Sequence, residues 1–369
     1  MNPSPYPVRS PDEIPSPALL YFEEQLSQNL HQTIKVAGSV DRLRPHVKSH
    51  KTVGLVRMQL QRGIRKFKCA TIAEAEMLVR AGAADILLAY PIVGPNVERV
   101  VRFLCLHPAV TLSVLADNAA SAARLSQACR EFNRRIPVLL DLDPGLHRTG
   151  VPIDDSALSI YLEISRLEGI IPAGLHCYDG NNHHKEYHHR LEAATLTYRA
   201  TMKLKAAIEQ AGASVPSVLM GGTPTFPCYA SMDSVDLSPG TGFLHDWRYA
   251  TRFPDLPFTP AALLLARVIS RPAPYSFTLD LGHKAIAADP PDARGMILAY
   301  PDAESVMQNE EHWVFRAPEP LPEVGRPLLV LPTHICPTSA LHQEAVIIDA
   351  QGNVTDRWPI AARDRRLFL

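Results

Sequence analysis

No CxxC pair and no tight cysteine framework occurs in this sequence: its six cysteines, Cys69, Cys105, Cys129, Cys177, Cys228 and Cys336, are scattered. That excludes a disulfide-stapled secreted module and reads as reduced thiols in a cytoplasmic protein, most of them small core residues. Excess charge is missing too. The 37 Lys and Arg against 38 Asp and Glu leave a formal charge of −1, so there is no electrostatic reason to seek nucleic acid or membrane. No uninterrupted apolar run approaches bilayer-spanning length, and Met1 to Pro17 lacks the basic start and apolar run of a signal peptide. Nor does a GxGxxG turn follow the first strand, which counts against an open doubly wound sheet. What is present is 369 residues, 46% of them hydrophobic, enough for a sizeable core. That length suits two domains, or one large barrel with an attachment.

A rhythm of apolar runs and helical stretches organises the first two thirds of the chain. Strands are expected at Leu43–Val47, Lys66–Ala70, Asp85–Tyr90, Val110–Leu115, Ile136–Leu142, Ile171–Tyr178, Ser217–Met220 and Val235–Leu237. Between most of them lie helical stretches at Val53–Arg62, Ile72–Ala81, Asn96–Leu106, Asn118–Phe132, Asp154–Leu167 and Tyr187–Ala211. Eight strands alternating with helices is the arithmetic of an α/β protein built as a closed (β/α)8 TIM barrel. Chemistry in such barrels sits just beyond the carboxyl ends of the strands. The residues found there are Lys48, Pro144 to Gly150 with Arg148, His176 to Gly180, and Gly221-Gly222-Thr223.

In Leu43-Arg44-Pro45-His46-Val47-Lys48, strand alternation places Arg44, His46 and Lys48 on one side. Neighbouring cations such as Arg44, His46 and Lys51 favour a neutral amine, as a Schiff-base lysine requires. The competing reading is a basic loop that holds a phosphate or faces water. Gly221-Gly222-Thr223 frees backbone N–H groups and adds a hydroxyl, which suits an anion, although the same triplet serves as an ordinary tight turn. A lysine after strand one, an arginine after strand five and a phosphate cradle after strand seven together fit pyridoxal phosphate.

RPHVKSHKT, LDLDPGLHRTG, GLHCYDG, GGTPT and PTHICPT, in this order, resemble the D-threonine aldolase and D-serine dehydratase family, over roughly residues 16 to 365. The resemblance implies a fold-type III pyridoxal 5′-phosphate enzyme with an alanine racemase-like barrel over residues 23–245. A mainly β domain over 246–369, joined by an N-terminal strand within 10–22, would complete it, and the pair would form a homodimer. It further implies that Lys48 carries the cofactor aldehyde, that Arg148 lies near the phenolic oxygen and that Tyr178 meets the pyridine nitrogen. His46 counts with the cofactor-binding residues, and Gly221, Gly222 and Thr223 would contact the phosphate. His184 corresponds to a family histidine proposed as general base or metal-site partner. One departure is that Pro239-Gly240-Thr241-Gly242-Phe243 stands where the family commonly shows a tyrosine.

Beyond the barrel, strand-like runs at Ala262–Ser270, Phe277–Leu281, Gly295–Ala299, His312–Phe315, Pro327–Leu331 and Glu344–Ile348 are divided by Pro, Gly and Asp clusters. Here Pro332-Thr333-His334-Ile335-Cys336 carries two donors two residues apart, which an extended segment would aim to one side. A buried structural His and Cys is the alternative; the resemblance makes them metal ligands. Thiolate plus imidazole favours Zn2+ over Mn2+ or Mg2+. The expected function is D-threonine aldolase, with a small D-β-hydroxy-amino acid as substrate. A D-serine or 3-hydroxy-D-aspartate dehydratase is the alternative, followed by an amino-acid racemase or a non-catalytic pyridoxal phosphate carrier.

Overall fold

Seven parallel strands follow one another in space in the order of the sequence: Lys66–Cys69, Asp85–Pro91, Thr111–Ala116, Ile136–Asp143, Ile170–Cys177, Val218–Met220 and Asp236–Leu237. The structure, a computed structural model, describes residues 5–291 and 293–368. The chain divides into two units, one of Met1–Gln32, Ser49–Gly54 and Thr241–Arg363, the other of Thr33–Lys48, Leu55–Gly240 and Asp364–Leu369. The parallel sheet belongs to the second, and a short strand, Val151–Pro152, pairs with Ile136–Asp143 beside it.

The expected first strand, Leu43–Val47, is not a continuous strand. It makes two isolated parallel bridges, Leu43 to Leu237 and His46 to Lys68, which tie it to both edges of the seven-stranded sheet. Pro45 between them has no N–H to give a ladder, and the chain then turns into a 3-10 helix over Val47–Ser49. Lys48 therefore leaves the barrel from a turn, and strand alternation does not decide where it points.

Helices Ile72–Ala81, Asn96–Leu106, Ala119–Glu131, Asp155–Ser165 and Tyr187–Gln210 connect the strands. Three of them begin on side chains that satisfy otherwise unpaired N–H groups: Thr71 accepts from Glu74, Asn118 from Ser121 and Asp154 from Ser156. After the seventh expected strand only a short helix, Phe226–Ala230, forms. Leu87, Leu115, Leu139 and Leu219 from four strands pack into one buried cluster.

The first unit is built on a nine-stranded sheet. Its main path runs Glu304–Gln308, Trp313–Arg316, Ser276–Leu279, Ala262–Ser270, Ala18–Phe22, Glu344–Ile348 and Val354–Pro359, with Pro327–Pro332 on Ala262–Ser270 and Gly295–Ile297 on Pro327–Pro332. Leu20 and Phe22, Leu263 and Leu265, and Val346 and Ile348 alternate onto one face and bury it with Ile14 and Leu331. Two strands, Glu304–Gln308 and Val354–Pro359, had no counterpart in the sequence pattern; both are edges with largely exposed residues, so no apolar alternation marks them. Among the described residues no helix is long and apolar enough to cross a membrane.

Candidate active site and metal pair

In the barrel unit three cations surround one phenol. Lys48 Nζ lies 5.9 Å, Lys68 Nζ 5.7 Å and Arg148 Cζ 5.2 Å from the centroid of the Tyr178 ring. Tyr178 follows directly on strand Ile170–Cys177, and its ring fits between two glycines. A Cβ at Gly180 would overlap it, and one at Gly222 would lie 2.7 Å from it. Gly221 has φ +77°, a left-handed turn that glycine adopts without strain. Gly222→Ala is expected to displace Tyr178 and to lower unfolding stability by about 1–3 kcal/mol, as overpacking of a tight site does. A denaturant midpoint equal to wild type would contradict this packing.

The loop that delivers Arg148 is shaped by Asp143. Its Oδ1 accepts from the N–H groups of Gly145, Leu146 and His147 at 2.9, 2.8 and 3.0 Å. Burial acts to raise the Asp143 pKa, but these bonds together with His147 hold it below the ordinary carboxylate range. The Gly-Gly-Thr segment is anchored from Asp179, whose buried carboxylate accepts from Thr225 Oγ1 at 2.7 Å and Tyr229 OH at 2.8 Å. Thr225 in turn accepts the Gly222 N–H at 3.1 Å, and Thr223 Oγ1 accepts the Gly240 N–H at 3.1 Å. Thus the Gly222 donor, expected to point at an anion, is bonded to Thr225.

Other expected neighbours are placed differently. Arg44 pairs with Asp85 at 2.7 Å, which offsets its charge, and Lys51 Nζ donates to the Ala362 carbonyl at 3.3 Å. His46 is buried, with its Nδ1 accepting from the Lys48 N–H at 3.3 Å. His184 is exposed, its ring 6.0 Å from that of His189 and its carbonyl bonded to Arg190.

Lys68 is a buried lysine whose ionisation is shifted downward. Burial first, then the charges of Lys48, Arg148 and Arg44, bring its pKa down to about 7, against the pull of Asp141. Its Nζ lies 2.8 Å from His176 Nε2, His176 Nδ1 lies 2.7 Å from Asp141 Oδ1, and Thr149 Oγ1 donates to Asp141 Oδ2 at 2.8 Å. Thr149, His176 and Asp179 were expected just beyond barrel strands, but the sequence pattern did not join them with Asp141 and Lys68. A signal was present: a charged residue at Lys68, inside Phe67-Lys68-Cys69, stands where a buried strand was expected.

In the other unit, His334 caps a short helix, Ile335–Leu341, and Cys336 lies in its first turn. The expectation of a wholly extended segment is corrected here. The two side chains nonetheless act on each other's ionisation, and His334 Nδ1 lies 2.6 Å from Asp289 Oδ2. Burial alone would lower the His334 pKa, yet Cys336 and Asp289 raise it to about 9. Burial likewise acts to raise the Cys336 thiol, but His334, Ser49 and Thr241 leave it below its usual value. An imidazole held through one nitrogen by a carboxylate, beside a sulfur that favours its anion, is a donor set suited to a thiophilic cation. Among the described residues no group of three or more His, Cys, Asp or Glu is arranged to hold a metal ion, so water or substrate would supply the remaining donors.

Comparison with known proteins places both units. The family described as alanine racemase, N-terminal domain, matches residues 23–242, and a putative serine dehydratase domain matches residues 261–348. D-threonine aldolase from Arthrobacter sp. is 32% identical over 330 residues, 87% of this chain and 85% of that protein. The chain belongs to the D-threonine aldolase and D-serine dehydratase family of fold-type III pyridoxal phosphate lyases. The crystal structure of D-threonine aldolase from Filomicrobium marinum superimposes with a TM-score of 0.89 at 28% identity, over 98% of this chain and 99% of that one. The family also includes D-threo-3-hydroxyaspartate dehydratase from Delftia sp. (strain HT23), 25% identical over 85% of this chain and 88% of that protein. The expected barrel with an attached mainly β region is the fold of this family.

Proposed function

We propose that this protein is a pyridoxal 5′-phosphate- and divalent-metal-dependent lyase that cleaves D-threonine and related D-β-hydroxy-amino acids to glycine and an aldehyde. The observation that carries the reading is the 32% identity to a D-threonine aldolase across 87% of the chain. The ring of cations about Tyr178 and the glycines that make room for it support it from the geometry.

In this reading residues 23–245 hold the cofactor, and 246–369 with 10–22 hold the metal. When bound, pyridoxal phosphate withdraws electrons from the Cα of the amino acid joined to it. Lys48 supplies the amine for the cofactor aldehyde, with His46 fixing the backbone of its turn. Arg148 would offset negative charge on the phenolic oxygen, and the Gly221-Gly222-Thr223 turn would take the phosphate, with the Gly222 N–H shared with Thr225. Tyr178 would meet the pyridine nitrogen without fixing it as a cation, which would favour reactions that need no long-lived carbanion. His334 and Cys336 hold the divalent ion, with Zn2+ preferred to Mn2+ or Mg2+ by its sulfur donor. The ion supplies Lewis acidity toward the β-hydroxyl. His184 would take the proton of that hydroxyl.

A dehydratase acting on D-serine or 3-hydroxy-D-aspartate is the second reading, favoured by the His-x-Cys pair and by the dehydratase relative. The two differ in product. Pure protein given D-threonine is expected to release acetaldehyde and glycine; pyruvate and ammonia from D-serine would support the second reading, and neither product would refute both for these substrates. We further infer a homodimer in the cytoplasm, in keeping with six free cysteines. A monomeric mass in size-exclusion light scattering would contradict the dimer.

A further inference from the structure

We propose that Lys68 is a positioning residue for the cofactor amine: it acts on Lys48 through its charge, and His176, Asp141 and Thr149 form the buried hydrogen-bond chain that sets that charge. The proposal rests on the assignment of the cofactor to Lys48.

The direction of the chain follows from its members. Although burial acts to raise the pKa of Asp141, His176, Thr149 and Lys68 keep it below its ordinary value, so its carboxylate only accepts. Thr149 Oγ1 therefore donates to Oδ2 and His176 Nδ1 to Oδ1. That leaves the Nε2 lone pair of His176 to accept from Lys68. Asp141 and His176 are register partners on adjacent parallel strands, so their side chains leave the same face of the sheet. Lys68 comes from a strand adjacent to neither, and reaches His176 through the barrel. A charged side chain is held at such a place only when it is paired.

The groups that face Lys68 are Lys48, Arg44 and Arg148, which disfavour its ammonium, and Asp141, which favours it; Asp179 also interacts with it electrostatically. When Lys68 loses its proton, one N–H bond breaks, the proton passes to water, and a remaining amine N–H still donates to His176 Nε2, so the chain loses one positive charge. With Lys68 as ammonium, a second positive charge lies 5.7 Å from the Tyr178 ring centroid, beside the Lys48 amine at 5.9 Å. With Lys68 neutral, that charge is absent. The depressed pKa of Lys68, about 7, puts this change near neutrality.

The test is a pH titration of the visible absorbance of the pyridoxal phosphate-loaded protein. Wild type is expected to show a step near neutral pH. Lys68→Met should lose it, and Asp141→Asn, which removes the group that favours the ammonium, should move it to lower pH by about one unit. If Lys68→Met does not fold by circular dichroism, Lys68→Arg serves instead, since it keeps the charge but does not titrate, and should also lack the step. A step that persists unmoved in these variants overturns the proposal. Borohydride reduction and peptide mapping of the wild-type holoenzyme separate the two ideas. A label on Lys48 with an unchanged titration defeats only the Lys68 proposal, whereas a label on Lys68 defeats the assignment of the cofactor to Lys48.

Discussion

Lys48→Ala is expected to lower lyase turnover by about three orders of magnitude or more, and to abolish both the visible absorbance and the borohydride label of the cofactor. Two other lysines in the amino-terminal region, Lys51 and Lys68, each have a partner of their own. Lys51 has a left-handed φ of 53° and is bonded to the Ala362 carbonyl; Lys68 is committed to His176. Lys48 stands in a short, partly buried turn after the His46 bridge, with its amine over the Tyr178 ring. Alanine fits that turn, so circular dichroism should match wild type and the loss should be chemical. A variant that keeps both turnover and label would remove Lys48 from the mechanism.

The order of the barrel strands was legible because each is a short apolar run followed by polar or glycine-rich residues, and a parallel sheet buried on both faces leaves that pattern. Leu43–Val47 misled because its composition is that of a strand while Pro45 withholds the ladder hydrogen bond. Edge strands Glu304–Gln308 and Val354–Pro359 were not legible, since polar exposed edges carry no apolar period. In the site, the motifs pointed to Lys48, Arg148 and Tyr178, which the fold gathers, whereas the pattern gave no means to pair Asp141 with His176, or either with Lys68. Those pairings depend on register and on reach through the barrel, neither of which is written in local spacing. Apolar content marked the strands as buried, and that alone made each ionisable residue inside them a candidate for pairing. The extended segment expected at His334 and Cys336 is instead a helix start, with Asp289, 45 residues earlier, supplying His334 with a carboxylate that spacing did not reveal.

That carboxylate makes the second large prediction specific. Removal of divalent metal with EDTA is expected to reduce turnover by roughly two orders of magnitude or more while the cofactor absorbance remains, because in the proposed function the ion would act on the substrate hydroxyl and Lys48 would hold the cofactor. Zn2+ should restore activity better than Mn2+ or Mg2+, and Cys336→Asp should reverse that order by replacing a sulfur donor with oxygen. Asp289→Asn leaves both proposed ligands in place but removes the anion that orients the His334 ring, so it should weaken metal binding by about 10- to 100-fold. Isothermal titration of the apoprotein with ZnCl2 measures this directly, without reference to catalysis. Activity indifferent to chelation would take the metal out of the reaction. An Asp289→Asn protein that binds Zn2+ as tightly as wild type would show instead that Asp289 and His334 form a structural pair, and the donors for any ion would then have to be sought elsewhere in the chain.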